Sequence, residues 1–353
     1  MNNTVKTQEQ DGIVLLAKKP NLTSFASLNS VKKALGTSKV GHTGTLDSFA
    51  QGLLVVCTGR LTRLAGNITA FDKSYKAVIK FGEETDTLEY TGNIIKKGKL
   101  PSEDDLKEIL PSFVGNIMQV PPIFSAIHVD GKRASSLARG GKEAEIPARP
   151  ITVFKAELQD VKLNKDGLVE YCLINFSVSK GTYIRSLARD IGEKLSTCAH
   201  LVGLYRTKVG DFKIEDAAGF STLEDFTIDN VISLVNKNKE IIAKGEKLDI
   251  KPHFDKNNIP ESELILQEEI RNKKVNLDEK TAKLCGFEII YIKDEDVLID
   301  FRNGKPLRSY MFETNLHTLP NNSTTAVFTK DNIFTGLIDK NTEGRVSYKF
   351  VIN

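Results

Sequence analysis

Residues 41–52 read GHTGTLDSFAQG, a glycine-rich segment that holds one acid, Asp47, and leads into the apolar run LLVVC at 53–57. Glycine permits sharp bends, so the segment predicts a loop whose amides surround the carboxylate. Taken alone, it is best explained as a turn before a buried strand, with Asp47 capping it. A phosphate-binding loop is a weaker alternative, because no Gly-Lys-Ser/Thr motif follows. The role of Asp47 therefore depends on the rest of the chain.

The composition is that of a globular protein with a substantial core. The chain has 353 residues, of which 40% are hydrophobic and 27% are charged, and this length predicts one large domain with a smaller one. The net charge of +3 is too small to indicate a nucleic-acid partner. Only the distribution of the charge along the chain can inform on a partner.

Targeting and redox signals predict a cytoplasmic protein. Residues 1–10 are polar and form no signal peptide, and no run approaches the roughly 18 apolar residues that span a bilayer. The four cysteines are far apart and contain no Cys-x-x-Cys pair, which predicts reduced thiols. The five histidines share no ligand spacing with them, so we expect no metal site.

The order of hydrophobic patterns predicts an α+β fold with a mixed, mostly antiparallel sheet. The strands are expected at 12–17, 53–57, 75–81, 151–163 and 168–179, the last two joined by the turn NKDG at 164–167. Helices are expected after Thr23 or Ser24 up to Gly36, from Ser102 to Phe113, through 187–195, and over 222–235. Residues 236–262 are lysine-rich and weakly patterned and predict a linker, and 288–353 predict short strands with turns.

A second candidate for chemistry is GTYIR at residues 181–185, where a strand is expected to end and a helix to begin. Tyr183 and Arg185 are two apart, so on extended backbone they would point the same way. An arginine beside Asp47 would favour the ionised carboxylate that a nucleophile requires, and the tyrosine could transfer a proton or stack on a ring. A surface arginine after a core tyrosine explains the motif alone equally well.

Basic residues next to an aromatic residue suggest contacts with nucleic acid. Tyr75 opens a strand flanked by lysines, a pattern suited to base stacking with nearby phosphate contacts, although plain packing explains a single tyrosine as well. Lysines and arginines recur around residues 60–80 and 132–149. For any single lysine a solvated surface is the simpler interpretation.

Five groups of residues together carry a resemblance to a known family. They are KP and TS within 19–24, GHTGTLD with Ala50 and Gly52, QVPP with SA within 119–126, GKR with LAR within 131–139, and GTYIR at 181–185. On these motifs the chain resembles the TruB-type family of bacterial tRNA pseudouridine synthases, over about residues 11–220. The resemblance implies isomerisation of a uridine in the T-loop of tRNA, at position 55.

The resemblance implies three catalytic residues. Asp47 matches the nucleophilic aspartate, Tyr183 matches a tyrosine that contacts the base and takes part in removal of the C5 proton, and Arg185 matches the arginine that pairs with the aspartate. If this assignment is right, Asp47 lies within hydrogen-bonding reach of Arg185. No cofactor or energy source is implied, since the reaction is an isomerisation.

The resemblance also implies a set of substrate-binding residues. Tyr75 matches the tyrosine that stacks on the flipped uracil, and His42 matches the residue that fills the space the base leaves. Leu204 matches a leucine that lines the pocket. Lys19 lies in the first motif, and Arg63 stands where a lysine is usual at a phosphate contact.

The implied organisation is a catalytic domain at 11–235, a linker or extension at 236–287, and a small β-barrel-like domain at 288–353. The last part weakly resembles a PUA-type RNA-binding domain, and a divergent β extension that only stabilises the catalytic domain is the alternative. The implied partner is the T-arm of tRNA, with no membrane and no small-molecule cofactor, and we expect a monomer.

The sequence departs from the family pattern at a few positions. Ser135 stands where a tyrosine is common, Tyr205 replaces the first of two arginines after Leu204, and Asn21-Leu22 interrupts Pro-x-Gly-x-Thr-Ser. None of these removes an implied catalytic group. Two rival functions remain open: an RNA-binding or RNA-folding protein with secondary or no catalysis, and an isomerase that acts on a uridine of another RNA.

Overall fold

The computed structural model describes residues 10–125, 146–248 and 259–352, and the backbone of 128–129 and 132–133. The departure at Ser135, and Arg139 and Lys142 of the basic segment at 132–149, lie outside the described residues.

The strands and helices of the described chain follow the predicted α+β class. The strands are β1 Gly12–Lys18, β2 Val40–His42, β3 Gln51–Thr58, β4 Lys73–Phe81, β5 Glu83–Thr85, β6 Ile94–Lys97, β7 Gly115–Gln119, β8 His128–Val129, β9 Lys132–Arg133, β10 Arg149–Leu163, β11 Val169–Val178, β12 Ala199–Val209, β13 Phe212–Lys213, β14 Glu288–Tyr291, β15 Ser323–Phe328, β16 Phe334–Lys340 and β17 Val346–Val351. The α-helices are α1 Ser24–Leu35, α2 Ala65–Thr69, α3 Glu103–Ile109, α4 Ile184–Lys194, α5 Ile228–Ala243, α6 Glu261–Lys273, α7 Glu279–Leu284 and α8 Glu295–Arg302. Short 3-10 helices cover Gly59–Leu64, Leu110–Phe113, Ile214–Asp216, Phe220–Thr222, Ser309–Met311 and Leu316–Thr318.

A nine-stranded sheet is the framework of the larger domain, in the order β1-β3-β12-β4-β11-β10-β7, with β2 beside β3 and β13 beside β12. Within it β3 and β12 run parallel, and the other neighbouring strands run antiparallel. The predicted mixed, mostly antiparallel sheet is therefore confirmed. The parallel pair matters for function, because it brings the start of β3, which follows the loop at 41–52, next to β12.

Local signals fix several elements as predicted. The Thr23 side chain accepts a hydrogen bond from the amide of Ala26 at the start of α1, and Gly36 ends this helix in the left-handed conformation at φ 59°. The Ser102 side chain caps α3, whose first turn carries three acids that favour the helix dipole. The Asn164–Gly167 turn joins β10 and β11 as an antiparallel hairpin.

One predicted helix has different bounds. The sequence pattern placed a helix over 222–235, whereas Phe220–Thr222 is a 3-10 helix and α5 begins at Ile228 with Thr227 as its cap. This helix extends to Ala243, into the segment predicted as a linker, because Asn238 is buried and adds a polar anchor that hydrophobic periodicity does not reveal.

The C-terminal third packs on the larger domain. The four strands β14-β15-β16-β17 form a separate sheet, in agreement with the predicted small C-terminal domain, and α8 lies between its first two strands in sequence. Side chains of this sheet, including Phe328 and Leu337, share one hydrophobic cluster with Leu53 and Val55 of β3. Residues 259–287 include α6 and α7, and α6 packs on α1.

No helix in the part of the chain that the structure describes is long and apolar enough to cross a membrane.

Candidate active site

The loop at 41–52 is held between two strands of the sheet. It begins at β2, which pairs with β3, and ends where β3 begins at Gln51. Gly52 has φ 114°, and a Cβ at this position would lie 2.4 Å from the carbonyl oxygen of Arg206. Only glycine fits there, since the backbone of β12 approaches so closely. The Asp47 side chain projects from this loop and is 31% exposed.

A buried lysine, Lys18, binds carbonyl oxygens of the loop from the interior of the protein. Lys18, at the end of β1, is 1% exposed and donates hydrogen bonds from Nζ to the carbonyls of Ser48 at 3.1 Å and Ala50 at 2.5 Å. Burial lowers the pKa of Lys18 to about 7, and the nearby Asp47 carboxylate opposes this shift. The lysine therefore fixes the backbone on the C-terminal side of Asp47.

Ser24, at the start of α1, holds the residue that precedes Asp47. Its hydroxyl donates to the carbonyl of Leu46 at 3.0 Å and accepts from the amide of Leu46 at 2.8 Å. On the N-terminal side, the Arg206 guanidinium donates to the carbonyl of Gly44 at 3.0 Å. With its backbone bound on both sides, the loop presents the carboxylate of Asp47 in a fixed position.

The expected contact between Asp47 and Arg185 is confirmed. Nη2 of Arg185 lies 3.0 Å from Oδ1 of Asp47, and the same nitrogen donates to the carbonyl of Phe124 at 3.1 Å. Nη1 donates to the carbonyl of Thr87 at 3.2 Å. Because Arg185 is only 6% exposed, these acceptors fix its direction, and the charge faces Asp47 in a partly desolvated site.

Glu89 is a second carboxylate beside the same arginine. Its Oε2 lies 3.9 Å from Nη1 of Arg185, and its Oε1 accepts a hydrogen bond from the Thr91 hydroxyl. Burial raises the pKa of Glu89 to about 7, the Asp47 carboxylate raises it further, and Arg185 opposes the shift. Two acids therefore face one guanidinium, and the pKa of Glu89 lies near neutral pH.

Tyr183 is held by its backbone at the junction of β11 and α4. Its amide donates to Oε1 of Gln119 at 2.9 Å, and its carbonyl accepts from Nε2 of the same side chain at 3.1 Å. Burial raises the pKa of Tyr183, with a smaller upward contribution from Asp47 and an opposing one from Arg185. The phenol is therefore protonated at neutral pH, and the charges of Asp47 and Arg185 both act on it.

The expectation that Tyr183 and Arg185 share one extended segment is wrong. Tyr183 has extended backbone angles, but α4 starts at Ile184, so Arg185 lies in the first turn of the helix. The strand ends earlier, at Val178, and Gly181 at φ 80° turns the chain. The arginine reaches Asp47 from the helix instead of from the strand.

Three predicted binding residues lie on strands near the loop. His42 ends β2, and burial lowers its pKa, with the Arg206 charge adding to the effect. Tyr75, on β4, is half-buried, packs against the main core, and is paired across the sheet with Arg206 of β12. Leu204, also on β12, is 6% exposed.

The other two predicted binding residues, Lys19 and Arg63, make no contact with the loop that carries Asp47 among the contacts of the described residues. Lys19 is exposed, and it is the preceding lysine, Lys18, that binds the loop. Arg63 lies 5.6 Å from the ring centroid of Phe350 and donates to the carbonyl of Val351 at 3.3 Å, so it contacts β17 of the C-terminal domain.

Sequence reasoning missed four residues of the site, namely Lys18, Glu89, Gln119 and Arg206. A lysine inside an apolar strand was a signal for Lys18, since such a position is costly without partners. Arg206 was visible as the remaining basic residue after Leu204. Gln119 opens the QVPP motif, but no role was assigned to it. Nothing local distinguished Glu89, because the arginine that it faces lies far away in the chain.

The fold is similar to that of two solved structures. A chain of the Cbf5-Nop10-Gar1 complex matches with a TM-score of 0.63 and 23% identity, covering 98% of this chain and 86% of that chain. A chain of an H/ACA RNP bound to a substrate RNA containing 2'-deoxyuridine matches with a TM-score of 0.61 and 20% identity, over 99% and 87% of the two chains. At these identities the likeness establishes the fold alone.

Sequence comparison places the chain among the pseudouridylate synthases. The profile described as TruB family pseudouridylate synthase (N terminal domain) matches residues 32–184, and that described as tRNA pseudouridylate synthase B C-terminal domain matches residues 185–239. The tRNA pseudouridine synthase B of Treponema denticola is 42% identical, over 93% of this chain and 95% of the relative. That of Borreliella burgdorferi (strain ZS7) is 42% identical, over 67% of this chain and 83% of the relative. The chain belongs to the TruB family.

Proposed function

We propose that this protein isomerises uridine to pseudouridine in the T-loop of tRNA, at position 55, with Asp47 as the nucleophile. The observation that carries the proposal is the ion pair between Asp47 and the buried Arg185 at 3.0 Å. The loop that carries Asp47 is fixed by hydrogen bonds from Lys18 and Arg206 to its carbonyl oxygens. A carboxylate kept ionised and pre-positioned is what nucleophilic catalysis by an aspartate requires. The names of the similar proteins support the choice of tRNA as substrate.

In the proposed reaction no atom is gained or lost. Asp47 attacks C1′ of the target nucleotide as the C1′–N1 bond breaks, and the electron pair of that bond stays with the uracil. The uracil turns while it stays in the pocket, and C5 then attacks C1′, so that the C1′–C5 bond forms as the bond between C1′ and Asp47 breaks. The C5 proton then leaves and N1 takes up a proton, so the product is an isomer of the substrate. Arg185 stabilises the carboxylate each time it is ionised, before attack and after release.

The proposed roles of the neighbouring residues follow from their position and chemistry. Tyr183 contacts the base and takes part in transfer of the C5 proton. Tyr75 stacks on the flipped uracil, His42 fills the space that the base leaves, and Leu204 lines the pocket. The lowered pKa of His42 favours the neutral ring, which suits insertion among bases.

Binding of the RNA outside the pocket is proposed to rest on shape and on basic side chains. Lys19 is exposed and can reach a phosphate, and its contribution would be salt-dependent. Arg63 is proposed as a phosphate contact that also touches Phe350, because a guanidinium offers several donors. We propose the domain division 11–235, 236–287 and 288–353, with the last part a PUA-like RNA-binding domain.

We further propose that the enzyme is a cytoplasmic monomer. All four cysteines are free and buried, which suits a reducing compartment. Light scattering of the purified protein measures the mass directly, and a dimer would contradict this part of the proposal.

The nucleophile is tested with Asp47→Asn and a T-arm hairpin that carries 5-tritiated uridine. The variant should bind the hairpin within about threefold of the wild type and release no tritium, because only the attacking oxygen is lost. Asp211→Asn, at an exposed position outside the site, is the matched control and should react normally. Normal tritium release by Asp47→Asn would contradict the assignment.

The substrate is tested by comparing the T-arm hairpin with an anticodon-arm hairpin. We expect modification of the T-arm hairpin alone. Preference for the anticodon arm would favour an isomerase of another RNA, and binding of either hairpin without any modification by the wild type would favour an RNA-binding or RNA-folding protein.

A further inference from the structure

We propose that Arg206 is a positioning residue of the site, whose buried guanidinium holds the two ends of the loop that carries Asp47. The predicted effect on catalysis rests on the proposed function. The contacts between Arg206 and the loop are observed in the structure and do not depend on any activity. The acceptors of the Arg206 side chain in the described residues are backbone carbonyls and do not include Asp47, so Arg206 acts through the backbone.

Three hydrogen bonds join one guanidinium to both ends of the loop. Nη2 donates to the carbonyl of Gly44 at 3.0 Å and Nη1 to that of Thr45 at 3.4 Å, on the N-terminal side of Asp47. Nε donates to the carbonyl of Leu53 at 2.8 Å, on the C-terminal side. The planar fork of donors in arginine suits such divergent acceptors, and a lysine ammonium cannot match all three from one point.

The backbone of Arg206 is fixed at the same place as its side chain. Arg206 is paired with Gly52 of β3 on one side and with Tyr75 of β4 on the other. The closeness of β12 to β3 is what excludes any Cβ at Gly52. Arg206 therefore connects the loop that carries Asp47 to β4, the strand that carries Tyr75, the tyrosine expected to stack on the base.

The charge of Arg206 is costly in its environment. The residue is 2% exposed, and within the described ranges no carboxylate lies within 4.0 Å of it. Carbonyl dipoles alone compensate the charge, whereas a buried cation is ordinarily paired with an acid. Its charge also lowers the pKa values of His42 and Lys18, for each of which burial is the larger cause.

Lys18 and Arg206 bind carbonyl oxygens in different parts of the loop. Lys18 binds the carbonyls of Ser48 and Ala50, which follow Asp47, and Arg206 binds those that precede it and that of Leu53. Two buried cations therefore keep the carbonyl oxygens turned inward. Loss of Arg206 frees the glycine-rich half of the loop, in which the backbone has the most freedom to move.

The test uses Arg206→Gln and Arg206→Lys with the full-length protein and the T-arm hairpin. The single-turnover rate should fall about 100-fold in Arg206→Gln and less in Arg206→Lys, while the dissociation constant of the hairpin changes less than about threefold, because a small displacement of the nucleophile suffices. Lys340→Met is the matched control, since Lys340 is a buried cation that donates to carbonyls of His317 at 2.8 Å and Leu319 at 2.7 Å in the C-terminal domain. It should lower the melting temperature and leave the rate unchanged.

Two measurements without RNA separate this inference from the proposed function. In Arg206→Gln the amides of Leu46 and Ala50 should exchange with solvent at least about tenfold faster, and the pKa of His42 should rise when the neighbouring charge is removed. If the wild type fails to modify RNA while these changes occur, the proposed function fails and the positioning role stands. Unchanged exchange, or a wild-type rate in a folded Arg206→Gln, would overturn it.

The wild type supplies a readout if neither variant folds. The Nε proton of Arg206, bound to the carbonyl of Leu53, should show a slowly exchanging NMR signal. A signal that exchanges as fast as that of the exposed Arg308 would overturn the inference.

Discussion

Arg185 donates a hydrogen bond to Asp47 over 3.0 Å although 138 positions separate the two residues in the chain. The guanidinium is buried and also binds the carbonyls of Thr87 and Phe124, so its direction is set before any substrate arrives. The carboxylate is 31% exposed and can be reached from outside. This combination of a fixed cation and an accessible acid defines the chemical character of the site.

The first prediction concerns Arg185→Lys. A lysine keeps the charge, but its single nitrogen cannot occupy the positions of both Nη1 and Nη2, from which Arg185 binds Asp47 and two carbonyls. The single-turnover rate should therefore fall by about 100-fold or more, with little change in hairpin affinity. Arg271→Lys is the control, because Arg271 lies on α6 and donates to the carbonyl of Ala34 away from the site. A wild-type rate in Arg185→Lys would show that the arrangement of the guanidinium donors is unimportant.

The second prediction concerns the pH dependence of stability. The pKa of Glu89 is raised from 4.5 to about 7, so the folded protein retains a proton that the unfolded chain has already released. The stability from this group is fully present below pH 4.5 and is lost as pH rises through about 7. The side chain in Glu89→Gln is neutral at every pH. The free energy of unfolding of this variant, relative to that of the wild type, should therefore rise by about 2 kcal/mol between pH 5 and 8.

Unfolding by urea at several pH values measures this difference. Glu240→Gln, at an exposed position on α5, is the control and should follow the pH profile of the wild type. Parallel profiles for Glu89→Gln and the wild type would mean that Glu89 is already ionised in the folded protein well below neutral pH.

The third prediction concerns a buried amide cluster beside the loop. The side chains of Asn21 and Asn238 exchange two hydrogen bonds at 3.0 and 3.1 Å, and Asn238 also donates to the hydroxyl of Tyr90. The Tyr90 ring packs edge-on against Phe49 of the loop. Asn238→Ala should cost about 2–4 kcal/mol, since it leaves buried polar groups without partners.

Asn21→Gly provides the second arm of a double-mutant cycle. Asn21 has φ 64°, a left-handed conformation that glycine adopts without strain, so its substitution removes the side-chain contacts alone. We expect a coupling free energy between Asn21 and Asn238 of about 1 kcal/mol or more in urea unfolding. Strictly additive losses would mean that the amide pair contributes nothing beyond its separate contacts.

The amide cluster also explains one departure of this chain from the family pattern. Asn21 belongs to the pair Asn21-Leu22 that interrupts the pattern Pro-x-Gly-x-Thr-Ser, and asparagine is one of the residues other than glycine that tolerate the left-handed region. Its side chain then gains a partner in α5. Asn21 therefore adopts the turn conformation and adds an anchor, which hydrophobic patterns in the sequence do not show.

The sequence by itself determined the features whose causes lie within a few residues. Thr23 and Gly36 fix the ends of α1, and the turn at 164–167 fixes its hairpin, because caps and tight turns depend on neighbouring side chains and allowed backbone angles. The contact between Asp47 and Arg185, which are far apart in the chain, was predicted only through the family resemblance that their motifs carry.

Only the tertiary structure decided which side chains converge on the loop. All seven residues of β1 are buried, so alternation could not tell that Lys18 points inward while Lys19 lies outside. Likewise, Glu89 and Arg206 acquire their roles from partners on other elements, at separations of roughly 100 residues or more. Such contacts depend on how the sheet is ordered and on what becomes buried, and these are properties of the whole fold.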